Sequence, residues 1–128
     1  MTRKERLKKL VAVQEKLQAM HEMRYAGFRA EAAAAEGEVA TLRAAFDQPG
    51  SMSALFPEVY HRRIESALER AARNTALAER EIGHVATQTA RTNMVDRAYR
   101  SASRDEERTR GDRERLDMIA RTVTGKPE

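Results

Sequence analysis

Asp47-Gln48-Pro49-Gly50-Ser51 is the one convincing internal break in this chain, and its reading decides the fold. No proline precedes it, and Thr2 followed by Glu5 can form a capping box: the hydroxyl accepts from the Glu5 amide and the carboxylate reaches back. After the break, Ser51 or Ser53 can cap a second helix, with Pro57 tolerated in its first turn. Thr124-Gly125-Lys126-Pro127 supplies the stop, glycine being free to turn left-handed and proline forbidding continuation. The spacing predicts one helix over about 3–46, a turn over 47–53, and a second helix over about 54–123. At 1.5 Å per residue these are about 65 Å and about 105 Å long. A short loop forces them antiparallel. The expectation is an all-α, antiparallel two-helix coiled-coil hairpin of one domain, its second helix longer than its first.

The composition agrees. Of 128 residues, 34% are charged and only 5% aromatic, there is no Trp, and Ala, Arg and Glu dominate. Such a mixture favours helix nearly everywhere, and alanine at a seam demands that two helices lie close together. With no cysteine there is no disulfide framework, thiolate metal site or cysteine nucleophile. The basic residues of the first turns are followed by Gln14, Glu15, Lys16, Gln18, His21 and Glu22, which interrupt any signal sequence, and no segment is apolar enough for a bilayer. The expected location is the cytoplasm. The formal charge is +4, with Arg3, Lys4, Arg6, Lys8 and Lys9 biasing the amino terminus. A basic end suits an acidic protein, nucleic acid or anionic lipid, and net charge does not choose among them.

Neither helix is stable alone over such a length, so each should bury a stripe against the other. In the first, the stripe is read as Leu7, Leu10, Val13, Leu17, Met20, Tyr25, Phe28, Ala32, Ala35, Val39, Leu42 and Phe46. In the second it is Phe56, Val59, Tyr60, Ile64, Leu68, Ala71, Thr75, Ala78, Ile82, Val85 and Thr89. Steps of three and four dominate, as a two-stranded seam requires. Folding at Pro49-Gly50 places Val39 near Ile64, Ala32 near Ala71, His21 opposite Ile82, Leu10 near Asn93 and the amino terminus close to Ala102. About twenty residues of the second helix then lack a partner. They include Arg104, Arg108, Arg113, Leu116, Ile119 and Val123, an amphipathic end that frays, pairs with a second copy or docks on a partner.

No catalytic constellation is present. His21, His61 and His84 are scattered without metal-ligand spacing, and there is no phosphate loop or nucleophile elbow. No enzyme activity, metal or other cofactor is expected. Arg97, Arg100, Arg104 and Arg108 form one basic stripe that can grip acidic side chains or phosphate, or can be a solvated face laced with Glu106–Arg110 and Asp117–Arg121 pairs. Leu42, Phe46, Leu55, Phe56, Val59 and Tyr60 surround the turn, as a plug for the hairpin or as an apolar contact point. Gly27, Gly37, Gly83 and Gly111 lie inside predicted helices, as sites of close approach or as weak points. Nucleic-acid binding finds little support, because acids are interleaved throughout and no aromatic stacking platform is visible.

With a basic start, a long helix, a short break, a longer helix and a charged tail, the chain resembles the FliJ/YscO family of type III export proteins along its whole length. The most specific local match is Tyr60 followed by Ile64-Glu65-Ser66-Ala67-Leu68-Glu69-Arg70-Ala71; the ending Gly125-Lys126-Pro127-Glu128 is also similar to some members. The resemblance implies a cytoplasmic adaptor or chaperone-escort that engages an export ATPase ring and a membrane export gate. It places gate contact at Ile64, Leu68, Ala71 and Thr75, although Ile64 stands where the family has a bulky aromatic and Thr75 where it has histidine. ATPase contact would fall on the Arg-rich carboxy-terminal end and the basic amino terminus. The other expectations kept open are a self-associating structural coiled coil and a basic nucleic-acid-binding helical protein.

Overall fold

The computed structural model describes residues 1–125, and among them the chain is an antiparallel helical hairpin without strands. Helix α1 spans Arg3–Asp47 (45 residues), a single 3-10 turn spans Met52–Ala54, and helix α2 spans Pro57–Thr124 (68 residues). No described helix is long and apolar enough to cross a membrane.

The helix ends follow the local chemistry. Glu5 N donates to Thr2 Oγ1 and Thr2 N donates to Glu5 Oε2, both at 3.2 Å, so the capping box closes as its residues predict. At the break, Ser51 N donates to the Gln48 carbonyl at 3.2 Å, and Gly50 has φ +78°. Proline second and a left-handed glycine third make this a type II turn. Neither serine caps α2. Ser51 caps the 3-10 turn, while buried Ser53 turns its hydroxyl back to the Phe46 carbonyl at 3.0 Å, satisfying an acceptor that the end of α1 leaves open. Helix α2 therefore starts later than the expected 54. Proline disfavours helical backbone at Phe56 before it and is itself best placed at the first helical position, which Pro57 occupies. At the other end, Gly125 N reaches the Arg121 carbonyl at 2.8 Å without a left-handed glycine; Lys126 and Pro127 of the expected stop lie outside the described residues.

The structure falls into two compact units, Leu17–Gln88 and residues 1–16 with the stretch from Thr89 onward. In Leu17–Gln88, a line of covered positions of α1 steps by three and four, through Gln18, His21, Tyr25, Phe28, Ala32, Ala35, Val39, Leu42 and Phe46, with Glu38 and Ala45 half-buried at its edge. The line in α2 runs through Tyr60, Ile64, Ala67, Ala71, Asn74, Ala78, Glu81, Val85 and Gln88, with Arg70 and Leu77 half-buried beside it. This is a seven-residue repeat with knobs from both helices. Ala35 and Ala67 are fully buried, so this stretch of the seam is lined by methyl groups, which let two helices lie close together. Val39 and Leu42 supply the larger buried side chains, each contributing about 1.5–3 kcal/mol. Phe46 stacks edge-on with Tyr60 (6.1 Å between ring centroids) to close the seam beside the turn.

Several expected seam residues lie outside it. Leu17, Met20, Leu68 and Ile82 are exposed, as is Thr75, whereas their neighbours Gln18, His21, Ala67, Asn74 and Glu81 are covered. The repeat is right: Tyr25 to Phe46 of α1 are in phase, Leu17 and Met20 are one residue off, and in α2 every second position is one residue off. Phe56 and Val59 are exposed as well, along with Leu55, so Leu42, Phe46 and Tyr60 alone form the plug. The register itself holds closely, with His21 meeting Glu81 where Ile82 was expected.

In the other unit, α1 contributes Lys4, Leu7, Val11 and Gln14, and α2 contributes Thr92, Val95, Tyr99, Ala102 and Glu106. Leu10 and Val13 are again exposed beside covered Val11 and Gln14. Thr92, buried, donates its hydroxyl to the Gln14 carbonyl at 3.3 Å, about a turn from the expected meeting of Leu10 with Asn93.

Candidate functional site: the uncovered arm of the second helix

From Thr92 onward the covered positions of α2 continue in phase to Ala102 and Glu106, and the same three-four stepping then reaches Thr109, Arg113, Leu116, Ala120 and Val123. Helix α1 begins at Arg3, and its first residues line a groove with Ala102, Asp105, Thr109 and Arg113. Beyond that level nothing among the described residues covers α2. Every residue from Asp112 to Gly125 is exposed, and Leu116, Ile119 and Val123 are 64%, 59% and 71% accessible. The uncovered run, which begins at Asp112, is shorter than the expected twenty residues, although the first residues of α1 lie by Ala102 as expected. Helix α2 thus keeps the sequence pattern of a seam where it has no seam to make.

The basic stripe divides in two. Arg100 is held by Asp96 at 3.0 Å and Arg108 by Asp105 at 2.9 Å, each within the helix. Arg97 and Arg104 are exposed and form no ion pair among the described residues. Glu106 and Arg110 pair at 3.2 Å as their spacing predicts; Asp117 and Arg121 do not, and Arg115 pairs with Asp112 instead. Such exposed pairs contribute little to stability. Their consequence is to leave Arg97 and Arg104, seven residues apart on one face, as the cations of this stripe still available to an acidic partner.

The face tied to gate contact by family resemblance is split by the seam. Ala71 is buried and Ile64 half-buried, while Leu68 and Thr75 look outward. Leu68 lies over a shallow depression lined by Glu36, Val39, Ala40 and Arg43. At the turn, Leu55, Phe56, Pro57 and Val59 surround a depression of about 320 Å3 with Glu58 and Arg62, so half of the expected plug is an apolar surface.

The sequence reading places only His21 of a polar cluster that lies within the seam. His21 Nδ1 lies 2.6 Å from Glu81 Oε1, with Arg24 Nε at 3.7 Å and the His84 ring stacked on His21 at 5.8 Å. Glu81 is only 3% exposed. The hydrogen bond from His21 holds its carboxyl below the usual range; burial pushes the other way, and the charges of Arg24, His21 and His84 add to the lowering. Glu38 is lowered likewise, first by its hydrogen bond from Arg70 at 2.8 Å, against burial, and then by the charges of Arg70 and Arg63. The seam spacing of residues 21 and 81 was the available signal, masked by apolar Met20 and Ile82 beside them. Among the described residues no group of His, Cys, Asp and Glu is arranged to hold a metal ion.

These features define a helical-hairpin protein whose available chemistry lies on helix faces. Compared with known proteins, the chain matches no family model, no curated protein and no solved structure.

Proposed function

We propose that this chain is a non-enzymatic adaptor or chaperone-escort of a bacterial flagellar or type III export apparatus, working in the cytoplasm by binding an export ATPase and an export gate component. The observation that carries the protein-binding part is the face of Leu116, Ala120 and Val123, in phase with the covered seam of α2 yet itself uncovered. An amphipathic helix face of this kind is read by another helix or a groove. The export assignment rests on the resemblance of the Tyr60–Ala71 segment and of the two-helix plan to the FliJ/YscO family.

Co-purification with the cognate export ATPase tests the reading. Binding that is lost in Leu116→Asp supports it; absence of binding, with ATPase activity unchanged by the chain, refutes the export role. The same uncovered face also favours a second reading, a structural coiled coil that self-associates. Sedimentation separates the two, because a monomer at micromolar concentration excludes self-association as the working state.

A further inference from the structure

Read as a protein-docking surface, on which this inference rests, the uncovered arm has a direction as well as a phase. Leu116, Ala120 and Val123 continue the line that α1 covers further back, so a helix burying them lies on the track of α1, beyond its first residue. Such a helix has two possible directions. Running as α1 runs, it sets its carboxy-terminal end against the start of α1; reversed, it sets its amino-terminal end there.

The charges at that junction discriminate. A groove of about 510 Å3 opens between the first turn of α1 and α2. Its acids are already matched, Asp105 by Arg108 at 2.9 Å and Glu106 by Arg110 at 3.2 Å. Its cations Arg3, Lys4 and Arg113 form no ion pair among the described residues. The start of α1 adds the partial positive charge of a helix amino terminus, offset in part by the Glu5 carboxylate that accepts from Thr2 N. A helix carboxy terminus carries the opposite partial charge, and acidic residues in its last turn would meet three unmatched cations.

We propose that the arm takes an acidic partner helix laid along the α1 track, antiparallel to α2, with its carboxylate-rich last turn seated at Arg3, Lys4 and Arg113. A second copy of this chain fits poorly. Residues 1–16 and 89–125 carry fifteen Lys and Arg against nine Asp and Glu, whereas Leu17–Gln88 carries eight against ten. The last turn of α2 bears Arg121, so two paired arms would bring like charges together at each junction.

The test uses the full chain and two fluorescent peptides of about four helical turns. Both carry the same Leu and Ala seam at three-four spacing; one has Glu in its last turn and Lys in its first, the other the reverse. The peptide with the acidic last turn should bind about tenfold tighter at low salt, and the gap should narrow as salt rises. Arg3→Glu with Arg113→Glu should erase the gap, and Leu116→Asp, at an exposed position that leaves helicity intact by circular dichroism, should abolish both interactions. Equal affinities, no binding, or indifference to Leu116→Asp would overturn the proposal. So would a Leu116-dependent dimer of the chain alone, or displacement of the peptide by anionic vesicles. The adaptor reading fails separately: peptide selectivity would then persist while the export ATPase did not bind.

Discussion

Ala32-Ala33-Ala34-Ala35 is a run of four identical side chains whose consequences differ, and replacing two of them by leucine measures the seam. Ala35 is fully buried opposite the methyl-lined stretch that includes Ala67, also fully buried, whereas Ala34 faces solvent. Leucine and alanine are both good helix formers, so propensity moves little in either variant. At position 35 the three added carbons have no space, and accommodating them means parting the helices or straining the side chain, at about 2 kcal/mol. At position 34 the change should stay within about 0.5 kcal/mol. For a chain of this length a loss of 2 kcal/mol lowers the melting midpoint by roughly 6–10 °C. Thermal unfolding followed by circular dichroism reads both variants directly. Ala35→Leu should melt about 6–10 °C below the parent and Ala34→Leu within a degree or two of it. Equal midpoints, or a larger loss for Ala34→Leu, would show that the close approach of the helices is not where the burial of Ala35 places it.

Other substitutions probe the turn and the polar seam. At Gly50 an added methyl meets nothing within 4 Å, so Gly50→Ala should cost only the left-handed backbone, about 1–2 kcal/mol, read from the urea midpoint. Gly83 also has open space around it but sits in mid-helix, so Gly83→Ala should stabilise by about 1 kcal/mol in the same assay. Because the Glu81 carboxyl is held below its ordinary range in the folded chain, its contribution is complete above the unfolded value and is lost as pH falls through the folded one. Stability should therefore decline on acidification, and Glu81→Gln should flatten the acid limb of a urea-midpoint profile; an unchanged slope would refute the coupling.

The break at Pro49-Gly50 and the capping box at Thr2 and Glu5 were legible because each depends on residues close in sequence. The seven-residue repeat was legible too, and its phase held from Tyr25 to Phe46 but failed from Leu10 to Met20 and at every second position of α2. Leu68 and Ile82 share their repeat with Ala67 and Glu81, and burying the larger apolar side chain selects the wrong member of each pair. Small residues allow the helices to approach, and that gain depends on Ala32 and Ala35 across the seam. Polar residues follow for a similar reason. Thr92 and Glu81 read as surface residues until a partner supplies the hydrogen bond that makes burial tolerable, the Gln14 backbone carbonyl for Thr92 and His21 for Glu81. The uncovered arm was legible as soon as two helices of unequal length were folded at one turn. Its extent was not, since moving the register by about a turn changes how much of α2 is covered.

Hydrogen–deuterium exchange along α2 tests the arm most directly. A lone amphipathic helix end of this length is marginal in water. The free chain should therefore show slow amide exchange up to about Gly111 and fast exchange from Asp112 to Thr124, with the fast segment becoming protected when the acidic-ended peptide is bound. Protection running unbroken to Thr124 in the free monomer, or an arm that stays unprotected at saturating peptide, would contradict the account.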